Sequence, residues 1–245
     1  MIPLFGRRLL FYWRDFICRR GKARYCPVCQ HTSRKFTPYG VVPRKGARCP
    51  WCGSLERHRC EWLYIVRRTD LFDGRRKNIL HVAPEPCLGA LLQYNFGAGY
   101  INADLNDLDV MVRMDIMNIP FSSDCFDVIL SSHILLDVRD DSRVLSEFYR
   151  VLKPGRWCIL LEPIQTDPSF EDTSIVNPVD RLREYGGPEH FRRYGPDFVD
   201  RLQEAGFIVD VISPEEFVTP MELARYGMTK SADDIYFCIK QKNSQ

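Results

Sequence analysis

The run Phe126-Asp127-Val128-Ile129-Leu130-Ser131-Ser132-His133 decides how this 245-residue chain folds. The run is short, mostly apolar and contains β-branched residues, which predicts a strand over Phe126–Ser131. An amphipathic helical pattern follows: Asp140 or Asp141 can cap its N-terminus, and Lys153-Pro154-Gly155 predicts its end. A strand, a helix and then a further strand form the repeating unit of a parallel sheet.

The alternation of strands and helices continues on both sides of this run, from Asn78 to near the end of the chain. The predicted fold class is therefore α/β, a Rossmann-like and mostly parallel sheet with helices on both faces. The other strands are predicted at Ile79–Ala83, Tyr100–Ala103, Trp157–Leu161, Phe207–Ile212 and Ile235–Ile239, with a weaker one near Val110–Met114.

A long segment near 163–195 interrupts the alternation. It is rich in Asp, Pro, Gly and aromatic residues and has no clear period. It follows the carboxyl end of a central strand, where ligands bind in open parallel sheets. Because loops of this length in a compact domain are usually functional, we predict a lid or substrate-binding insertion here.

Two Cys-x-x-Cys pairs, Cys26 with Cys29 and Cys49 with Cys52, are separated by 19 residues. Each pair can hold one side of a metal ion, and two pairs complete a tetrahedron. The spacing predicts a structural zinc ion in a small zinc-ribbon-like module, with all four positions taken by thiolates.

No secretory signal pattern is found and the other six cysteines are scattered, which favours reduced thiols and a cytoplasmic location.

Charge divides the chain into two predicted domains. Residues 1–76 contain 18 Lys and Arg against 5 Asp and Glu, a net charge of +13, whereas 77–245 contain 16 against 27, a net charge of −11. We predict a basic N-terminal helix and zinc module over 1–76 and the Rossmann-like domain over 77–245. The basic module can bind an anionic partner such as RNA, a phosphorylated substrate or a membrane surface, or can dock on the acidic domain.

The first 20 residues combine apolar and aromatic side chains with arginines. A basic amphipathic helix of this kind can lie on a membrane surface, which would make the protein peripheral to a membrane. Packing on the domain or on a second subunit is the alternative. No apolar run in the sequence reaches the length of a transmembrane helix.

Two runs in their proper order resemble a known enzyme family. Phe126 to His133, followed by Tyr149-Arg150-Val151-Leu152-Lys153-Pro154-Gly155-Arg156-Trp157, closely resembles class I S-adenosylmethionine-dependent methyltransferases, and more narrowly the methyltransferase type 11 group. The resemblance covers roughly Asn78 to Lys240. It implies an enzyme that binds S-adenosyl-L-methionine and transfers its methyl group to an acceptor.

Two further stretches support this resemblance. Met114-Asp115-Ile116-Met117-Asn118-Ile119-Pro120-Phe121 resembles the part of the family that frames the adenine. The cysteine pairs, with Gly53-Ser54-Leu55-Glu56-Arg57-His58-Arg59 after them, resemble a zinc-bearing subgroup.

The sequence departs from the family where the first strand should lead into a glycine-rich loop. Here it reads His81-Val82-Ala83-Pro84-Glu85-Pro86-Cys87-Leu88-Gly89, with no glycine before the last position. The zinc-bearing subgroup tolerates such a loop, so we expect cofactor binding to persist with a reshaped contact. A fold that has lost its cofactor is the alternative.

The predicted cofactor contacts lie mainly at the ends of strands. Asp104 can accept bonds from both ribose hydroxyls, or it can cap a turn. Asp115 can take the adenine amino group with Ile116 against the ring, or it can be a solvated loop acid. The resemblance extends the cofactor set to His81, Ala83, Glu85, Ser131 and Ser132, with a structural role as the alternative for His81.

Methyl transfer from a sulfonium needs an aligned nucleophile, exclusion of water and, for an oxygen acceptor, a base. His133 is the predicted base, because histidine changes charge near neutral pH; a capping or packing role is the alternative. Glu162, at the end of the next strand, is predicted to hold a substrate hydroxyl or ammonium. Polar and aromatic lid residues form the candidate substrate set, with a purely structural role as the alternative for each: Asp172, Tyr185, His190, Arg192 and Tyr194.

These features predict a methyltransferase acting on a small or medium-sized acceptor, most simply at oxygen. A second hypothesis is an RNA- or protein-directed methyltransferase guided by the basic module. A third is a non-catalytic binding protein, motivated by the glycine-poor loop.

Overall fold

The computed structural model describes residues 15–40, 42–228 and 232–242. The chain forms two compact units, and each is built from three stretches of sequence. The first unit is Met1–Phe72 with Glu85–Leu88 and Ser213–Ala232; the second is Asp73–Pro84 with Gly89–Ile212 and Asp233–Gln245.

The predicted division into 1–76 and 77–245 differs from these units in two stretches. The first change of unit, after Phe72, lies within a few residues of the predicted boundary. Residues 85–88 and 213–232, however, group with the N-terminal unit rather than with the sheet.

The first unit contains short elements around one long helix. Residues 15–19 are helical, and the remainder of the predicted N-terminal helix, residues 1–14, lies outside the described part of the chain. Two antiparallel hairpins and two helices follow: β1 (Arg24–Tyr25) with β2 (Thr32–Ser33), β3 (Thr37–Tyr39) with β4 (Arg44–Arg48), α1 (Glu56–Arg68) and, from the C-terminal stretch, α6 (Pro220–Tyr226).

A buried arginine joins the parts of this unit. Arg59 on α1 is fully buried, and its guanidinium donates hydrogen bonds to the carbonyls of Ser54 (2.6 Å), Ala47 (3.0 Å) and Gly227 (2.9 Å). The guanidinium also lies 4.5 Å above the centre of the Phe36 ring. Burial lowers the pKa of Arg59, and the three hydrogen bonds to carbonyls offset part of the cost of desolvating the guanidinium. This side chain therefore connects residues that are far apart in sequence.

The second unit is built on a seven-stranded sheet in the order β12-β13-β9-β8-β5-β6-β7. All pairs from β9 to β7 are parallel, and β13 is antiparallel to both of its neighbours. The predicted Rossmann-like, mostly parallel sheet is therefore present. Its strands are β5 (Ile79–Val82), β6 (Tyr100–Asp104), β7 (Val112–Arg113), β8 (Phe126–Ser132), β9 (Leu152–Leu161), β12 (Phe207–Ile212) and β13 (Ile235–Lys240).

The helices of this unit connect its strands. Every residue of β5 and β8 is buried, which is typical of central strands covered on both faces. Asp140 caps the helix after β8 by accepting a hydrogen bond from the Arg143 backbone N–H (2.8 Å), as predicted. The helices are α2 (Pro86–Phe96), of which the part from Gly89 onward belongs to this unit, α3 (Asp141–Val151), α4 (Pro178–Tyr185) and α5 (Phe198–Glu204).

Lys153-Pro154-Gly155 follows the end of α3 at Val151, as predicted, but it lies inside β9, which begins at Leu152 rather than at the predicted Trp157. The pairing of β9 with β8 shifts register between Phe126 and Val128. This irregularity accommodates a proline and a left-handed glycine within a strand, since both interrupt regular pairing. The 163–195 segment is not wholly irregular: it contains α4 and an antiparallel hairpin of β10 (Phe170–Glu171) with β11 (Arg192–Arg193).

Candidate functional site

The four cysteines of the paired motifs come together in the first unit. Their sulfur atoms all lie within 4.8 Å of one another. The Sγ atoms of Cys26 and Cys52 are 3.7 Å apart, and those of Cys29 and Cys49 are 3.8 Å apart. A tetrahedral zinc with Zn–S bonds of about 2.3 Å has sulfur–sulfur edges of about 3.8 Å. The thiolate set therefore fits a tetrahedral zinc ion and leaves no open position.

The second unit has a cavity of about 440 Å³ at the carboxyl ends of its parallel strands. The chain passes from β5 to β6 on one side and returns to β8 on the other, so this edge is the topological switch point at which ligands bind in such sheets. The lining comes from the ends of β5 and β6, the segment after β7, the turn after β8 and the lid: Val82, Ala83, Asp104, Leu105, Asn106, Met114, Asp115, Ile116, Met117, Ile134, Asp137, Val138, Arg139 and Phe191.

The glycine-poor loop after β5 begins with a residue in a glycine-like conformation. Ala83 has φ +46°, in the left-handed region, and its N–H donates to the Ala103 carbonyl (2.8 Å). A left-handed L-residue costs about 1–2 kcal/mol. The turn expected of a glycine-rich loop is thus formed here by alanine, which lines the cavity with a single methyl group.

The stretch Glu85–Leu88, which follows Pro84, belongs to the first unit. Glu85 is nearly buried and forms an ion pair with His58 of α1, with Nε2 and Oε1 separated by 3.4 Å. The Cys87 thiol lies 3.5 Å from Nδ1 of the same histidine. Glu85 does not line the cavity in the structure, so its predicted role at the cofactor stays a prediction.

Asp104 ends β6 and lines the cavity, where sequence reasoning expects a ribose-binding acid. Its Oδ1 accepts hydrogen bonds from the backbone N–H groups of Asn106 (2.7 Å) and Asp107 (2.9 Å). Within the residues that the structure describes, Oδ2 receives no such bond. The carboxylate therefore caps a turn with one oxygen and leaves the other for a ligand.

Asp115 and Ile116 line the cavity beside Met114 and Met117. Asp115 Oδ1 accepts from the Met117 N–H (2.9 Å), and Ile116 is buried. An apolar wall with one carboxylate at its rim suits a flat, amine-bearing ring.

Three other predicted cofactor residues do not line the cavity. His81 is buried in β5, where its Nδ1 lies 2.9 Å from the Tyr100 hydroxyl. Ser131 and Ser132 are buried at the end of β8, and neither hydroxyl has a hydrogen-bond partner among the described residues.

His133 follows β8 directly and also has a left-handed backbone, with φ +56°. Its N–H donates to the Leu161 carbonyl (2.7 Å), and its Nε2 lies 2.8 Å from Oδ2 of Asp233. Nε2 can donate its proton to this carboxylate, which leaves Nδ1 as the basic nitrogen. Such a carboxylate–imidazole pair orients a general base. Asp233 was not predicted, because 100 residues separate it from His133.

Glu162 lies at the end of β9 with its side chain 1% exposed. Oε1 accepts hydrogen bonds from the Ile134 (3.0 Å) and Leu135 (2.8 Å) N–H groups, directly after His133. Burial, with a smaller contribution from the charges of Asp137 and Asp233, raises the pKa of Glu162 from 4.5 to about 8 against the opposing effect of these two bonds. Glu162 thus holds the turn that carries the candidate base and keeps a proton at neutral pH.

Asp137 lines the cavity and was not predicted, because nothing in its local sequence distinguishes it from a turn acid. Its Oδ1 lies 3.7 Å from Nε2 of His190, which brings one predicted substrate residue to the cavity's edge. Burial raises the pKa of Asp137, while His190 opposes that shift. Phe191, the next lid residue, lines the cavity and was also not predicted.

The other predicted substrate residues hold the lid together. Arg192 is buried and donates to the carbonyls of Leu135 (2.8 Å) and Val138 (2.7 Å) as well as to Glu171 (2.9 Å). The remaining three lie outside the cavity lining: Tyr194 donates to Asp141 (2.7 Å), and Tyr185 and exposed Asp172 bond to each other through the backbone of Asp172.

Residues 95–160, which lie within the second unit, match the model of a family described as a methyltransferase domain. The chain carries a methyltransferase domain. The resemblance to class I S-adenosylmethionine-dependent methyltransferases is therefore confirmed, and the departure at the loop after β5 falls outside the matched range.

Solved structures with this fold agree with the match. The crystal structure of the [4+2]-cyclase SpnF superposes with a TM-score of 0.55 and 14% identity, covering 98% of this chain and 96% of that chain. A putative sarcosine dimethylglycine methyltransferase from Galdieria sulphuraria gives 0.51 and 16% identity, covering 95% and 98%. At these identities the likeness confirms the Rossmann-like methyltransferase fold and no particular reaction.

A curated relative shares a shorter segment. The ubiquinone/menaquinone biosynthesis C-methyltransferase UbiE of Desulfotalea psychrophila is 42% identical over 48 residues, which is 20% of this chain and 20% of that protein. The chain thus matches a fifth of the length of this relative.

Among the helices that the structure describes, none has the length and apolar character to span a bilayer.

Proposed function

We propose that this protein is an S-adenosyl-L-methionine-dependent methyltransferase whose acceptor is a small or medium-sized molecule, methylated most simply at oxygen. The observation that carries the proposal is the cavity at the carboxyl ends of β5 and β6, with Asp104 at its rim. The methyltransferase domain match over 95–160 supports it independently.

The residues of the cavity fit the donor. The available Oδ2 of Asp104 suits ribose hydroxyls, and the wall containing Ile116 and Asp115 suits the adenine. Ala83 brings the backbone to the cavity's edge without the bulk of a longer side chain. When bound, S-adenosylmethionine supplies a methyl group already activated on a sulfonium.

The task of the protein is then to align the acceptor and remove its proton. For an oxygen acceptor, His133, which directly precedes the cavity residue Ile134, would take the hydroxyl proton at Nδ1. Asp233 holds the imidazole through Nε2 and stabilises the imidazolium that results. Glu162 fixes the turn behind His133, and the lid residues around Phe191 exclude water.

We also propose that the four cysteines bind a structural zinc ion. The sulfur separations of 3.7 and 3.8 Å support this metal, and the saturated thiolate set supports a structural role rather than a catalytic one.

Calorimetry with S-adenosylmethionine tests the main proposal. Wild-type protein should bind the donor, and Asp104→Asn should weaken binding at least roughly tenfold, because a charge-assisted hydrogen bond contributes about 1.5–3 kcal/mol. Asn keeps an oxygen for the turn at Asn106 and so separates the ligand contact from the fold. Asp109→Asn, on the same exposed loop but outside the cavity, is the control and should bind normally. An unchanged dissociation constant in Asp104→Asn would place the ribose elsewhere.

The net charge of +13 over residues 1–76 favours a second candidate, an RNA- or protein-directed methyltransferase. Binding of RNA that weakens steeply with salt would support it over a metabolite acceptor.

A further inference from the structure

The stretch 16–55 of the first unit is strongly basic, with nine Lys and Arg and no Asp or Glu. Two of its arginines pair with carboxylates outside the stretch, Arg44 with Glu56 (3.1 Å) and Arg48 with Asp15 (2.9 Å). Four thiolates around a zinc ion would add a charge of −2, so the stretch would keep a net charge of +7. Five of its cations are exposed and form no ion pair within the described part of the chain: Arg20, Lys22, Arg34, Lys35 and Lys45.

Four of these five cations lie on two segments that pack against each other. The backbone N–H of Arg34 donates to the carbonyl of Cys18 (2.8 Å), in the helical residues 15–19. Gly21 packs on the same residue, because a Cβ at position 21 would lie 3.1 Å from the Cα of Arg34. The cations on either side of Gly21 are therefore held beside Arg34 and Lys35.

Two exposed, stacked rings adjoin these cations. The ring centres of His31 and Trp51 are 4.4 Å apart, with 24° between their planes. A carbonyl fixes each ring: Nε1 of Trp51 donates to Thr32 (3.2 Å), and Nδ1 of His31 lies 2.7 Å from the carbonyl oxygen of Cys29. The guanidinium of Arg19 lies 4.6 Å from the centre of the Trp51 ring, which joins the rings to the basic segment. We call these three side chains, from residues 19, 31 and 51, the aromatic plate.

A surface of this kind combines the two features that recognise a single-stranded nucleic acid. Clustered Lys and Arg neutralise phosphates, and unpaired bases stack on aromatic rings, histidine included, and on guanidinium planes. A bilayer would instead select apolar side chains that enter its hydrocarbon, whereas both rings of the plate are held by hydrogen bonds and bordered by cations. Cellular DNA is mostly paired, and folded RNA exposes unpaired bases in its loops. The observations therefore favour RNA.

We propose that this face of the first unit binds single-stranded RNA, with a base stacked on the aromatic plate and phosphates against the surrounding cations. Binding on this face requires neither the donor cavity nor turnover, so the proposal goes beyond the main proposed function. It also gives the second candidate function, an RNA-directed methyltransferase, a defined surface and a class of RNA.

Fluorescence anisotropy of the full-length protein with a labelled oligouridylate of about 20 nucleotides tests the proposal. The logarithm of the wild-type binding constant should fall linearly with the logarithm of the salt concentration. Arg34→Gln combined with Lys35→Gln should weaken binding roughly tenfold and reduce that slope by about 1.4, because each phosphate contact of a single strand contributes about 0.7. Arg76→Gln combined with Lys242→Gln removes two exposed cations of the second unit and is the matched control, which should bind within about twofold of the wild type.

The stacking contact has its own pair of variants. Trp51→Ala should weaken binding roughly 5- to 100-fold with little change in the salt slope, because stacking on a base is not an ionic contact. Trp51→Phe keeps a flat ring and should retain most of the affinity, which separates the loss of stacking from a loss of fold.

Equal affinity for inorganic polyphosphate of similar length, which has no bases, would overturn the proposal, as would unchanged affinity in the Arg34 and Lys35 double variant. Binding to phosphatidylserine vesicles that Phe16→Ser weakens, without binding of the oligouridylate, would assign the face to a membrane instead, since Phe16 is half exposed. Calorimetry with S-adenosylmethionine on the same preparations is independent of this surface. Absence of donor binding contradicts the methyltransferase function alone, and absence of RNA binding contradicts this proposal alone.

Discussion

Two residues beside the cavity, Ala83 and His133, have left-handed backbones. They follow β5 and β8, the two strands that flank the switch point of the sheet. Each costs about 1–3 kcal/mol, and such conformations persist only where the surroundings fix them. At His133 the fixing groups are the Leu161 carbonyl, Glu162 and Asp233. The sequence indicated a histidine at the end of a strand, but the strain and the partners of that residue depend on tertiary contacts.

His133→Asn tests the base at this position. Asparagine tolerates the left-handed region better than alanine does, so the substitution removes the imidazole with little disturbance of the turn. Turnover with an oxygen acceptor should fall roughly 10²–10⁴-fold, the usual contribution of general-base catalysis, while calorimetry shows donor affinity within a factor of about two. Asp233→Asn should give a smaller loss of the same kind, because the imidazole remains but is less well oriented. Full turnover in His133→Asn would assign the residue a purely structural role.

At the scale of elements, apolar runs predicted most strands of the large sheet well. The prediction was poorer where an element begins outside an apolar run or lacks one. β8 and β12 were predicted to within one residue, because each has a strong apolar run bounded by polar residues. Pro154 and Gly155 follow the end of α3 as predicted, but β9 begins at Leu152, five residues before the predicted start at Trp157, because the strand accommodates both residues in an irregular pairing. Helix α4 was missed because Val179 and Leu182 are exposed, at 72% and 50%, so its sequence shows no core-facing stripe. Asp137 and Asp233 reach the site only through the folding of separate turns.

Glu162, which joins the end of β9 to the turn after β8, makes the stability of the protein depend on pH. Burial raises the pKa of Glu162 from 4.5 to about 8, so the folded state holds a proton that the unfolded state releases above about pH 4.5. This contribution to stability is complete below pH 4.5 and is lost as the pH rises towards 8, by up to about 5 kcal/mol. Glu162→Gln keeps an oxygen for Ile134 and Leu135 but does not titrate.

Denaturant unfolding at pH 5 and pH 8.5 measures this effect. The wild type should lose several kcal/mol more than Glu162→Gln over this range, and the two should be close in stability at pH 5. Glu204→Gln, at an exposed position on α5, controls for the loss of one surface charge. Parallel pH profiles for the wild type and Glu162→Gln would show that Glu162 is ionised in the folded protein.

At the scale of the whole molecule, the unit that contains the four cysteines includes more of the chain than their motif indicates. The cysteine spacing predicted from sequence alone that the four thiols meet, but the membership of 213–232 in that unit has no local signal. It depends on contacts such as Arg59 to the Gly227 carbonyl (2.9 Å) and Arg67 to Glu222 (2.6 Å). Both join α1, which directly follows the second cysteine pair, to the C-terminal stretch.

Cys49→Ala should therefore lower the local stability of two segments that are far apart in sequence, 15–72 and 213–228. Zinc sites in small peptides contribute on the order of 10–16 kcal/mol to folding, and three thiolates cannot replace four. We expect less than one zinc per chain by elemental analysis, and faster hydrogen exchange both in 15–72 and in 213–228. The strands β5, β8 and β9 should keep their protection, because their core lies in the other unit. Cys125→Ala, which removes a half-buried thiol from that unit, is the control. Faster exchange confined to 15–72 would show that the C-terminal stretch is held without the metal, and a full zinc content would place the ion on other ligands.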